Sequence, residues 1–207
     1  MTRSWNIGLA GAVVAVGLPL MVVAQKTETK GEPNRSEGRA ETYTVDPIHS
    51  SNWFRIKHLN VANFYGRFNE IAGTYTLDDV NPVGSSFDIR IKADSIDTHN
   101  DARNQHLKSA DFFDAEKNPE ITFKSTSVKK TGDKEYEVKG DLTLHGVTKP
   151  LTVRIERTGA GTGMKGEYRS GLETSFEIKR SDFGMNTMQG PLGDEVRLMI
   201  SIEGIRQ

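Results

Sequence analysis

The sequence predicts an all-β fold: an antiparallel structure of about eight strands, with one short helix set into a connection between two of them. Three observations predict it. Apolar and polar residues alternate with a period of two along most segments after residue 42. Turn-forming clusters separate these segments at the spacing of a sandwich or a closed barrel. One polar stretch, 101–109, breaks the alternation; it has no β-branched residue and is rich in helix-tolerant types.

The elements follow in order. Residues 43–48 open the domain. In 52–58, Phe54, Ile56 and His58 face one way, with Arg55 and Lys57 opposite. The run 68–77 comes next, with Gly66 and Gly73 at bends or bulges. After the turn region 78–84, Phe87, Ile89 and Ile91 alternate with Asp88, Arg90 and Lys92. Asn100 is the expected N-cap of the helix, and Arg103 stands where a full capping box has Glu. Leu107, Phe112 and Phe113 are the apolar residues of this insertion and are expected to plug one end of the sheet structure. The pattern resumes at Ile121 and Phe123, then at 135–144, where Tyr136, Val138, Leu142 and Leu144 fall mostly in step. A tight connection around Gly146 spans 145–150, and Leu151, Val153 and Ile155 alternate next. A glycine-rich turn over 158–166 leads to 172–179, with Phe176 and Ile178 inward. In 196–202, Val196, Leu198, Ile200 and Ile202 share a face. Closing such a sheet removes its edges and leaves room inside for side chains or one small ligand. Alternation alone leaves sandwich and barrel both open.

The ends read differently. Arg3 precedes an apolar run over 7–23, broken by Gly8, Gly11, Gly17 and Pro19, and Val22 and Ala24 are the small residues that a signal peptidase reads. We therefore expect a signal peptide over 1–24, a disordered tether over 25–41 and one folded domain over 42–207, with a periplasmic or secreted destination. The alternative for the first segment is a single membrane anchor. With no cysteine, lipoprotein modification and disulfides are excluded, so the core must hold unaided. Lys plus Arg number 27 against 28 Asp plus Glu, and no like-charged block points to nucleic acid or an anionic membrane surface.

Motifs for chemistry are weak. The five histidines form no close pair, so a metal site would have to gather ligands from distant loops, and none is expected. Asp111 and Asp114 flank Phe112–Phe113 and read as turn caps or solvated groups rather than an acid–base pair. Asp46, His49 and Ser50 suggest a triad, but no nucleophile elbow accompanies them. Asp182–Phe183–Gly184 spells a kinase tripeptide without a phosphate loop and reads as a turn. No catalytic residue is assigned.

Six segments, taken together, resemble the YceI-like family of exported proteins: Y-T-V-D-P-I-H-S at 43–50, G-R-F at 66–68, I-D-T at 96–98 with H-L-K-S-A-D-F-F-D at 106–114, N-P-E-I-T-F-K-S at 118–125, G-D-L-T-L-H-G-V-T-K at 140–149, and R-S-D-F-G at 180–184. The resemblance implies an antiparallel eight-stranded, lipocalin-like β-barrel whose apolar pore holds a polyisoprenoid, quinone-like or precursor, or another long-chain amphiphile. It implies no other cofactor and no stable membrane insertion after signal cleavage. Asn104 departs from the acidic residue expected after the arginine, which bears on an ion pair at the helix and not on the fold. Taken with the alternation, the resemblance makes Phe54, Ile56, His58, Phe68, Phe87, Ile89, Ile91, Leu107, Phe112, Phe113, Phe123 and Phe176 the expected pore lining. Burying about ten chain carbons would contribute up to roughly 8 kcal/mol before ordering costs. The alternative is a stress-related interaction module with a solid barrel core and no ligand. An exposed edge or an apolar rim would favour a homodimer.

Overall fold

The computed structural model describes residues 40–207; the expected signal peptide and all but the last two residues of the expected tether lie outside the described residues. Alternating side chains become strands β1 (Glu41–Val45), β2 (Ser51–His58), β3 (Ala62–Phe68), β4 (Ile71–Leu77), β5 (Ser86–Lys92) and β6 (Ile96–Asp97). After the helix α1 (Asp101–Lys108) come β7 (Glu120–Lys130), β8 (Glu135–Leu144), β9 (Val147–Thr162), β10 (Tyr168–Lys179) and β11 (Leu192–Arg206). Three early staves are broken in two. β1 and β2 run one after the other along β11, β4 and β3 continue beside them, and β5 and β6 form the next stave. With β7 to β11 following as an antiparallel meander, and β11 returning to pair with β1 and β2, the result is a closed eight-stranded antiparallel barrel. Closure settles the choice between sandwich and barrel.

Two of the breaks have a visible local cause. Between β1 and β2, Pro47 cannot donate to a ladder, and Asp46 Oδ1 accepts from the Ile48 N–H at 3.0 Å in an Asx turn. Between β3 and β4, the backbone N–H groups of Asn69 and Glu70 turn to Ser95, donating to its carbonyl at 3.0 Å and to its Oγ at 3.1 Å. Gly73 in β4 has φ +136°, and a Cβ there would lie 2.1 Å from the Asp88 carbonyl, so only glycine fits.

Two expectations about strand limits are corrected. The run expected over 68–77 is split: Phe68 ends β3 and β4 starts at Ile71, and the rest of β3 was hidden because inward-facing Gly66 interrupts the apolar pattern and Tyr65 on the opposite face is half exposed. β9 runs from Val147 to Thr162, so the tight connection shrinks to His145–Gly146 and the glycine-rich segment is mostly strand. The first half of β9 pairs only with β8, and the last residues of β10 pair only with β11. Leu142, Leu144, Phe183 and Met185 pack there, with Val147, Leu151 and Ile178 around them.

One half of the interior is solid. Tyr43, Tyr75, Tyr136 and Val138 are almost wholly buried, and Tyr75 stacks between Tyr43 and Phe87 at 5.0 and 6.0 Å. The other half is not filled by side chains alone.

Candidate functional site

The inward face of β2 carries Asn52, Phe54 and Ile56 in succession, and that of β11 carries Val196, Leu198, Ile200 and Ile202. Together with β5, β7, β8 and β10 these rows enclose two apolar spaces, of about 150 Å³ and about 90 Å³. Both are walled by Ile91, Ile121, Leu142, Leu198 and Ile200, so they are neighbouring lobes of one apolar interior that meet at this shared ring.

The larger lobe takes Phe54, Ile56, Phe68, Leu107, Phe112 and Phe113 from the expected lining. The smaller takes Phe87, Ile89, Phe123 and Phe176, and Ile91 belongs to both. His58 is the exception and is corrected here: it lines neither lobe and is exposed at the end of β2. Its parity with Phe54 and Ile56 is right, but the enclosed interior ends before it does. The lining also includes Asn52, Phe64, Arg103, Ile178, Arg180, Met185 and Leu192, which sequence reasoning did not select. The parity of Asn52 with Phe54 was the available signal. Arg180 gave none, since it opens a 3-10 turn and has no parity to read.

The insertion covers the larger lobe. Asn100 is the N-cap, as its side chain accepts from the Arg103 N–H at 2.9 Å. Phe113 meets the edge of Phe68 at 5.5 Å between ring centres, and with Leu107 it packs on the cluster of Phe54, Phe68 and Ile96. Asn104 ties the helix to the preceding segment, its Oδ1 receiving the Thr98 N–H at 2.9 Å and hydroxyl at 2.6 Å. Arg103 donates to the Thr98 Oγ1 and carbonyl and lies 4.6 Å over the Phe64 ring.

Arg180 is buried in the wall of the larger lobe, only 4% exposed. Its guanidinium donates to the carbonyls of Met185, Thr187, Leu192 and Gly193 at 2.7 to 3.3 Å, clamping the 185–193 loop across the barrel end. Burial pushes its pKa down, partly offset by the Asp194 carboxylate.

The solid half ends in a polar layer. Arg157, two residues beyond Ile155 on the same face, donates to Asp79 at 2.9 Å, to Ser170 Oγ at 3.1 Å and to the Tyr43 hydroxyl at 3.4 Å. Tyr136 also donates to Asp79, and Tyr75 donates to the Ser170 carbonyl at 2.6 Å. Burial and the neighbouring Glu41 push the Tyr43 hydroxyl well above its ordinary range; burial raises Tyr75 to about 12.

The polar groups suggestive in the sequence lie away from the channel walls. Asp46, His49 and Glu203 do converge, within 4.8 Å of one another, but Arg169 pairs with both acids. The Ser50 hydroxyl donates to the Asp46 carbonyl at 2.7 Å rather than to His49, so the triad does not assemble. Asp111 pairs with His106 and Asp114 with Lys117, both at the surface. Residues 180–183 form a 3-10 turn closed by Gly184 at φ +77°. Among the described residues, the enclosed space itself offers shape, apolar walls and a few buried polar atoms.

A family model described as YceI-like domain matches residues 43–204. Protein YceI of Escherichia coli O6:H1 is 46% identical over 154 residues, covering 74% of this chain and 80% of its own. The crystal structure of Campylobacter jejuni YCEI protein superposes with a TM-score of 0.65 at 31% identity, covering 73% of this chain and 90% of that one. A solved domain of Saccharophagus degradans, described as polyisoprenoid binding and implicated in plant cell wall breakdown, shares the fold with a TM-score of 0.62 at 16% identity, over 80% of this chain and 98% of its own.

Proposed function

The chain belongs to the YceI-like domain family, and from that premise we propose that it is an exported lipid-binding protein, not an enzyme, which sequesters or transports a polyisoprenoid or similar amphiphile inside its barrel. The single observation that carries this reading is the pair of neighbouring apolar lobes that share Ile91, Ile121, Leu142, Leu198 and Ile200. A space of about 150 Å³ lined by such side chains is large enough to take up a benzene-sized molecule and stays dry. The second lobe adds about 90 Å³ of apolar-walled space. Burying about ten chain carbons would favour binding by up to about 8 kcal/mol before ordering costs.

The polyisoprenoid-binding Saccharophagus degradans domain, which has the same fold, supports this ligand class. Export rests on the signal-peptide pattern of residues 1–24, and no described helix is long and apolar enough to cross a membrane. The test is mass spectrometry of organic extracts of the protein purified from its native host. The expected result is one recurrent lipid in near-stoichiometric amount. Repeated extracts without lipid, together with no uptake of added prenols, would overturn the reading.

A further inference from the structure

Asn52 is the anomaly of the channel. It lies on β2 directly between Phe68 of β3 and Ile200 of β11, in the wall of the larger lobe, and it is only 4% exposed. Its Oδ1 has no hydrogen-bond partner among the described residues. An unpaired buried acceptor is costly, and native interiors retain few. The two arginines of the same lobe do not meet it, since Arg180 is committed to four backbone carbonyls and Arg103 to Thr98. An apolar substitution would close such a wall without the cost, so the carboxamide points to a ligand group.

We infer that Asn52 is the internal anchor of the channel, and that the amphiphile it selects carries a hydroxyl which donates to Oδ1. This deepens the lipid-binding reading and rests on it. A carboxamide has an acceptor and two donors. A hydroxyl answers Oδ1 as a donor and keeps lone pairs for the amide N–H groups. A carbonyl or a carboxylate offers acceptors alone and leaves Oδ1 unpaired. Ile200 belongs to the ring shared by both lobes, so the hydroxyl sits near that ring, with the chain extending along the apolar wall. The ligand is then a prenol- or prenylphenol-like chain rather than an oxidised quinone or a fatty acid. Specificity comes from one hydrogen bond in a dry site, where losing a partner is penalised most.

The experiment is equilibrium binding of farnesol and farnesal to the purified full chain, followed by the same pair with Asn52→Leu. These ligands have the same carbon skeleton and differ in whether the terminal oxygen can donate. Farnesol is expected to bind about 10- to 100-fold more tightly than farnesal. In Asn52→Leu the ratio is expected to fall to within about twofold, while the variant melts no lower than the parent, because an unsatisfied polar group has been replaced by an apolar one of similar size. Equal affinities in the parent protein, or a preference that survives Asn52→Leu, would overturn the inference while leaving lipid binding intact. If neither compound nor any other long-chain amphiphile binds, the lipid-binding reading fails and takes the anchor with it. Should Asn52→Leu not fold, the parent ratio decides alone.

Discussion

At Gly66 a Cβ would fall 2.4 Å from Phe54 Cζ, far inside contact distance. Phe54 borders the larger lobe, so its ring has space to yield, and it yields into the channel. Gly66→Ala should therefore cost about 1 to 3 kcal/mol in urea denaturation and weaken lipid uptake more than its stability loss explains. At the other end, Arg157 is buried with Asp79 as its carboxylate partner. Asp79→Ala should destabilise by about 3 kcal/mol, because it leaves a buried cation unpaired. An unchanged urea midpoint would show that the polar layer contributes nothing net. Gly66 was legible in the sequence as a bend, whereas Arg157 was not. Arg157 falls in a run of charged and glycine residues, and its inward direction follows only once β9 is seen to continue past Ile155. Asn52 shares the parity of Phe54, yet a polar residue in an alternating run is assigned to water by default, and Arg180, which opens a 3-10 turn, has no parity to read.

Among the elements, α1 and the strands with clean alternation were legible; the break between β3 and β4 and the long C-terminal ladder were not. Phe87, Ile89 and Ile91 faced inward as expected because their neighbours Asp88, Arg90 and Lys92 are charged, which leaves one consistent orientation. The same strand tests whether the interior is space or solid core. Ile91 borders both lobes, so Ile91→Trp should lose less than about 1 kcal/mol, where overpacking a filled core costs more. It should also abolish lipid uptake by filling the junction of the lobes. Large destabilisation with binding retained would favour the solid-core alternative. The insertion makes a complementary test. Phe113→Ala removes the cover's contact with Phe68 and should cost about 2 to 3 kcal/mol, speeding release of bound lipid in stopped-flow displacement.

For the whole molecule, closure joins the first described strand to the last. β1 and β11 pair, and Arg169 joins Asp46 of the β1–β2 connection to Glu203 of β11. Hydrogen bonds from His49 first, and then from Arg169, hold the Asp46 carboxyl down at about 2 against burial acting the other way. A depressed carboxylate stabilises the fold above its unfolded value of 3.8, and the contribution fades as pH falls toward about 2. Urea midpoints should therefore decline between about pH 4 and pH 2, and Asp46→Asn should flatten part of that decline. Bound lipid acts on the same equilibrium. At a free concentration a hundredfold above Kd it should add about 2.7 kcal/mol, read as a rise in Tm that scales with concentration.

The class of the fold, the position of the helix and the apolar faces of β2, β5, β8 and β11 could all be read along the chain, because a period of two is a property of neighbouring residues. Six motifs in order carried the family as well. Closure of the sheet on itself, by contrast, became visible in the folded barrel alone. The same barrel shows that Tyr43, Tyr75 and Tyr136 fill one half while the other stays open, that His58 lies outside the enclosed space, and that Asn52 is sealed within it. The reason is physical. Parity along a strand says which side a residue faces, whereas the depth of that side is set by distant staves that meet only when the barrel shuts.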